Sequence, residues 1–472
     1  MKKFGFFLLP ALLLVQGGLQ AQMTFKKGMI MDSVAVGDSI PESFSLYLPT
    51  SFEAAYKWPV LIVFDMKGRG SQALGMFREA AEEKRYILVA SNNTYDSLSI
   101  SDNILITNRM LKSVLSLFPV HQQRIYTAGL ATGAQMATLV PSFIKGVAGV
   151  LSLGSDVPNT EILNNKNPFY FLGIVGKGDF NYPDMSKTRE LLNRKNFPNN
   201  LFVFDGEQEW PDGDYLKMCL DLLTLQAISR GHAAKDETLL RESYKGMMQR
   251  VDKFIFARRL YRAYNMLEQV VAVYGGHLEV DSLDDKLKTL KREPLYRSQK
   301  REENSILLRE SLIREDYRYY LEEDILTYNF NNLGWWTYQM EELKKHEKSG
   351  KLAEQYMGMR LNGYLNALIE DNIDLLVREK VTDEEALLFL YMLKTISSPL
   401  EYPYYLKIIS LSSKYEDYGT ALFYLEELLK NGYKDKAQLY QLEHTALIRI
   451  TPEYNTIIGK FLKDARYEII EE

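Results

Sequence analysis

Two glycines bracket a short turn, Gly129-Leu130-Ala131-Thr132-Gly133, between a strand-like run, Arg124 to Ala128, and a helix-like run, Thr132 to Val140. Such a turn sets its central side chain at a helix amino terminus. There, backbone N–H groups and the helix dipole stabilise a developing oxyanion. A serine at the centre would be a nucleophile, but the residue is Ala131, which has no atom to attack with. Thr132 is one position along the turn, and that shift points its side chain away from the site. Thr127 lies within the strand. Ser155, in Gly154-Ser155-Asp156, follows a later strand and lacks an elbow. A general base is equally hard to find among the five histidines. His121 precedes the elbow strand and is expected at the opposite edge of the sheet. His232 follows the last helix of the first half, and His277, His346 and His444 fall in the second half.

No HExxH, CxxC or P-loop is present, nor a GxGxxG after a strand. Gly68-Arg69-Gly70 reads as a turn rather than a phosphate cradle. The single cysteine, Cys219, sits in an apolar helical setting that favours a buried, inert thiol. No metal and no cofactor are expected.

The elements that must position the turn alternate. Extended segments are expected across residues 25–50, at Pro59–Asp65, Tyr86–Ser91, Arg124–Ala128, Val147–Leu153, Phe169–Val175 and Leu201–Phe204. Helical spacing falls at Ser71–Lys84, Ile104–Phe118, Thr132–Val140 and Asp214–Ser229. Continuous apolar strands alternating with helices imply an α/β fold with a doubly wound, mostly parallel sheet and its site beyond the carboxyl ends of the strands. After residue 233 the β pattern ends. Phe254, Ala257, Tyr261, Tyr264, Leu267 and Val271 mark one face of a single helix ending at Gly275-Gly276. Thr382-Asp383-Glu384-Glu385 reads as a capping box. Hairpins are expected at Tyr402–Lys414 with Thr420–Leu429, and at Lys436–Arg449 with Pro452–Leu462, the last helix capped by Thr451. Tyr405, Ile408, Ala421, Leu425 and Leu428 have the spacing of a tetratricopeptide repeat, with Ile409 and Tyr433 where that repeat wants a small residue and a proline.

The first half resembles the secreted α/β-hydrolase esterases related to polyhydroxybutyrate depolymerases, in a branch with a helical-repeat tail. The resemblance covers about residues 40–230, and more weakly 400–465. It rests on Asp65-Met66-Lys67-Gly68-Arg69-Gly70, Val89-Ala90-Ser91-Asn92-Asn93, the elbow, Gly178-Asp179-Phe180-Asn181-Tyr182, and Phe204-Asp205-Gly206-Glu207-Gln208-Glu209-Trp210-Pro211. It implies an oxyanion loop at Gly68 and Gly70, an elbow at Gly129, Thr132 and Gly133, and Asp179 as the surviving acid. The family's nucleophile position is Ala131 and its histidine position is Gln208. Asp65, Arg69, Tyr182, Glu209 and Trp210 would line the remaining pocket. Alanine cannot attack, and a glutamine amide has no useful pKa for moving a proton.

Met1-Lys2-Lys3, the apolar run Phe4–Val15 and the small residues before Gln22 have the pattern of a secretory signal peptide. The chain divides into a signal peptide (1–21), an α/β-hydrolase-like domain (22–232), a helical domain (233–380) and tetratricopeptide-like hairpins (381–472). A net charge of −5 gives no reason to expect nucleic acid. No segment after residue 22 is apolar enough to span a membrane. The expectation is therefore an exported, periplasmic or secreted pseudo-hydrolase. It would bind a small ligand in the remaining pocket or a protein partner on its helical tail. The alternative is an esterase or acyl hydrolase with a non-standard site.

Overall fold

The computed structural model describes residues 25–37, 39–163, 166 and 168–462. The expected signal peptide lies outside them. Eight strands form one sheet: β1 (Ile30–Gly37), β2 (Ile40–Tyr47), β3 (Trp58–Phe64), β4 (Ile87–Ser91), β5 (Val120–Leu130), β6 (Val147–Leu153), β7 (Tyr170–Gly176) and β8 (Asn199–Phe204). Their order is β1-β2-β4-β3-β5-β6-β7-β8. β2 is antiparallel to β1 and β4, and all the other pairings are parallel. Every residue of β3, β4 and β7 is buried, as strands covered on both faces require.

Helices α1 (Gly70–Lys84) and α5 (Gly213–Ser229) pack on one face. Helices α2 (Ile100–Leu117), α3 (Thr132–Phe143) and α4 (Tyr182–Arg194) pack on the other. A sheet of this order, with a strained turn between β5 and α3, is the α/β-hydrolase fold.

The second half is all helix: α6 (Glu237–Phe256), α7 (Leu260–Tyr274), α8 (Asp281–Arg292), α9 (Pro294–Thr327), α10 (Leu333–Glu347), α11 (Leu352–Arg378), α12 (Glu384–Ser397), α13 (Tyr402–Lys414), α14 (Tyr418–Lys430), α15 (Lys436–Gln441), α16 (Ala446–Arg449) and α17 (Pro452–Phe461). The apolar face expected to be one helix from Phe254 to Val271 is broken. Arg258 takes φ 56° between α6 and α7, and the resulting turn lets Arg259 and Arg262 reach Asp205. The expected capping box is displaced by one residue, because Asp383, not Thr382, accepts the Ala386 N–H. Thr451 caps α17 as its sequence suggests. The Lys436–Arg449 segment is two short helices rather than one.

Helices α6 to α8 contribute Leu240, Met247, Leu267, Val270 and Leu283 to the same apolar core as the sheet. A separate core forms among α9 to α13, and a third among α13 to α17. Among the described residues no helix is long and apolar enough to cross a membrane.

Candidate functional site

The elbow is built by close approach. A Cβ on Gly133 would run into the Phe64 carbonyl oxygen of β3, and one on Gly129 would run into the Gly133 backbone. Only glycine lets α3 start this close to the sheet. Ala131, between them, is held at φ 51°, ψ −119°. This is a conformation that non-glycine residues adopt at a cost of about 1–3 kcal/mol, usually where function demands it. Ala131 is half-buried, and its N–H donates to Leu153 O at 3.0 Å. Thr132 is exposed and opens α3, so its N–H belongs to the unpaired amino end of the helix.

The residue after Leu153 is the point of convergence. A Cβ on Gly154 would lie 2.5 Å from Asp179 Oδ2 and 3.6 Å from Gln208 Cγ. The Asn181 amide donates to Gly154 O at 2.7 Å and the Asn181 N–H to Asp179 Oδ1 at 2.8 Å. Asp179 is 1% exposed. Burial raises its carboxyl to about 7, against the lowering effects of the Asn181 N–H and the Arg314 charge. The loops that follow β7 and β8 are also knit together. Lys177 N donates to Phe204 O at 2.9 Å and Gly178 N to Gly206 O at 2.8 Å. The structure thus brings Ala131, Asp179 and Gln208 to one place at the carboxyl edge of the sheet.

The remaining predicted residues divide. Asp65 and Arg69 pair with each other, Arg69 Nη2 lying 2.9 Å from Asp65 Oδ2. Gly68 and Gly70 seat this loop against Tyr95 and Asn92 respectively. Trp210 packs edge-on against Phe77 of α1, with ring centres 5.7 Å apart. Glu209 is exposed. The Tyr182 hydroxyl is turned to Lys177 and Glu303, and not to Asp179. His121 and His232 lie in one groove at the amino-terminal edge of the sheet. His277 hydrogen-bonds Ser229, His346 bonds Arg309, and His444 lines a groove of the tail.

Sequence reasoning missed the residues that grip these loops. Arg360 of α11 and Glu310 of α9 are each 1% exposed and pair at 2.5 Å. Arg360 Nη1 donates to Lys177 O at 2.8 Å. Arg314 bridges Glu310 and Phe180 O, at 2.6 Å each. Lys177 Nζ pairs with Glu303 and donates to the Tyr182 hydroxyl at 2.8 Å. Burial pulls the Lys177 ammonium down to about 8 against the attraction of Glu303. On the next loop, Asp205 accepts from Arg259, Arg262 and Tyr356. Burial raises its carboxyl, but these partners outweigh that and hold it well below the usual range. Helices α7, α9 and α11 therefore clasp both the acid loop and the Gln208 loop. The signal was present as Glu310 and Arg360, charges set within otherwise apolar stripes such as Ile306, Tyr317 and Leu321, and Met357, Leu361 and Leu365.

Neither a protein-family model nor a curated protein matches the chain. Solved structures similar to its first two-fifths include a fluorophosphonate-binding serine hydrolase of Staphylococcus aureus. That match has 15% identity and TM-score 0.35, and covers 42% of this chain and 99% of that one. An esterase of the archaeon Pyrobaculum calidifontis is similar at 11% identity and TM-score 0.36, over 43% of this chain and 87% of that one. A protein described as a dipeptidyl aminopeptidase IV, from Bacteroides ovatus, is similar at 14% identity and TM-score 0.35 over 42% of this chain. The match spans only 34% of that larger protein.

Proposed function

We propose that the chain is an exported pseudo-hydrolase, a hydrolase body kept as a scaffold for binding after its reaction was lost. The observation that carries this reading is the clasp. In the family the chain resembles, the loops after β7 and β8 carry the catalytic acid and the histidine. Here Lys177, Phe180 and Asp205 are tied instead to Arg360, Arg314, Arg259 and Tyr356 of the chain's own helices. The chemistry of the site agrees. Ala131 has no nucleophile and Gln208 has no transferable proton, and each lesion alone would cost on the order of 10⁴ to 10⁶ in rate. A body fixed in this way can hold the tail at a constant angle. We expect a protein partner on the tail face lined by Leu387, Tyr391, Leu406, Lys407 and Leu442.

The test is hydrolysis of short-chain and aromatic acyl esters by protein lacking residues 1–21, beside Asp179→Ala. Both are expected to match the uncatalysed rate. Turnover that disappears in Asp179→Ala would replace this reading with the second one, an esterase using an unrecognised nucleophile. The one observation favouring that second reading is the elbow strain retained at Ala131.

A further inference from the structure

At the opposite edge of the sheet, a groove of about 1000 Å³ opens between the start of β5, the end of α5 and the start of α6. It lies roughly 20 Å from Ala131, since β5 between the two ends runs the length of about seven residues of β3. His121, Arg124 and His232 are half-buried in its wall, and Lys57 stands at its rim. Three of their nitrogens are buried without a hydrogen-bond partner: His121 Nδ1, His232 Nδ1 and Arg124 Nε. Native proteins rarely leave such groups unpaired, and each one calls for an explanation.

The charges around these groups are unevenly matched. The Arg124 guanidinium lies over the Tyr86 ring at 5.8 Å and donates to Thr224 Oγ1 at 3.2 Å. Its other neighbours are the phenols of Tyr86 and Tyr126, not carboxylates. The acids of the groove are engaged elsewhere or outlying. Asp221 pairs with Lys84, although its Oδ1 also lacks a donor. Glu83 pairs with Lys84 and Lys217, and Asp236 caps α6. Glu53 and Glu242 are exposed. Lys57 and Arg85 at the rim, and Arg124, His121 and His232 in the wall, thus line one space whose nearest acid, Asp221, is paired with Lys84. The His121 imidazole is held below its ordinary pKa by burial first, and then by the charges of Arg124, Lys57 and His232.

We infer that this groove is a binding site for a small oxyanion, carboxylate or phosphate, held by Arg124, His121 and His232. The guanidinium supplies a fixed charge and directional donors. The two imidazoles add ring N–H donors beside it.

The experiment titrates inorganic phosphate, and separately acetate and citrate, into the protein lacking residues 1–21 at pH 7 and low ionic strength. It follows the His121 and His232 ring signals by NMR. Saturable shifts of both ring signals are expected, with the His121 imidazole pKa rising on binding. His232→Ala and His121→Gln should each weaken binding at least tenfold, and Arg124→Gln by more. His232 is in a loop after α5, so its variant keeps the test valid even if Arg124→Gln fails to fold. Saturation by phosphate but not the carboxylates, or the reverse, would identify the source of the oxyanion. Shifts that grow linearly with any salt, chloride included, or that persist undiminished in His232→Ala and His121→Gln, would overturn the site.

Discussion

Asp179 and Gln208 face the same point of the backbone. A Cβ on Gly154 would lie 2.5 Å from Oδ2 of the first and 3.6 Å from Cγ of the second. Asp179 and Gln208 are therefore adjacent, beside a strand end whose Leu153 carbonyl accepts the Ala131 N–H. Positions 131 and 208 carry neither a nucleophile nor a transferable proton.

Restoring those groups should restore chemistry. Ala131→Ser with Gln208→His is expected to hydrolyse a short-chain aryl ester at least tenfold faster than the parent, with neither single variant doing so. A triad acts as a unit, so one member brings little. Steady-state kinetics on the four proteins decides this. A silent double variant would mean that the clasped loops no longer admit an ester.

The elbow also predicts two opposite changes in stability. Ala131→Gly relieves a strained φ of 51° and should stabilise the fold by about 1 kcal/mol, after the entropy glycine adds to the unfolded chain. Gly133→Ala drives a methyl into the Phe64 carbonyl and should destabilise by about 1–3 kcal/mol or more. Urea unfolding measures both. An Ala131→Gly variant less stable than the parent would mean that the turn is not strained.

Asp179 gives a pH signature. Its carboxyl is raised to about 7 in the folded protein from an ordinary value of 3.8. The folded state then binds the proton more tightly than the unfolded state. Its favourable contribution is present below pH 4, fades between pH 4 and 7, and is replaced by the cost of a buried charge above 7. Asp179→Asn keeps an acceptor for the Asn181 N–H and removes that charge. The variant should gain stability over the parent at pH 8, on the order of 2 kcal/mol, and little or none at pH 4. Denaturant midpoints at the two pH values test the sign. Equal gains at both would remove the titration from the account.

The clasp predicts a coupled loss. Arg360→Ala leaves the buried Glu310 with Arg314 as its remaining cation and takes the donor from Lys177 O, at a cost of about 3 kcal/mol. Arg360→Met with Glu310→Gln, which keeps an acceptor for Arg314, should cost less than the single change. Limited proteolysis should cut the 177–182 loop faster in Arg360→Ala than in the parent. Unchanged cleavage there would mean that the loop holds its shape without α11.

How much of this was legible in the sequence follows from what each feature depends on. The strands and the elbow are local. Their burial shows as unbroken apolar runs such as Val60-Leu61-Ile62-Val63, and the turn shows as two glycines. The break at Arg258 was invisible because the apolar stripe continues across it, and only the reach of Arg259 to Asp205 explains the turn. The clasp was only half legible: Glu310 and Arg360 interrupt apolar stripes, but their partners do not show. Lys177, Glu310 and Arg360 are ordinary charged residues until the tertiary fold brings them together, and no local pattern gives the partner of a buried charge. Trp210 and Tyr182 were expected to line the pocket, and their contacts with Phe77 and Glu303 come from distant segments.

The bond from Arg360 to the Lys177 carbonyl spans 183 positions of chain. At ordinary rates of synthesis the residue that closes the clasp follows the loop it closes by roughly 10–40 s. The loop bearing Asp179 is therefore made long before its fastener, and a nascent chain stopped anywhere before α11 carries it open. A truncated or stalled product would differ from the finished protein at this loop as well as in the missing helices, and a protease or chaperone could tell the two apart there.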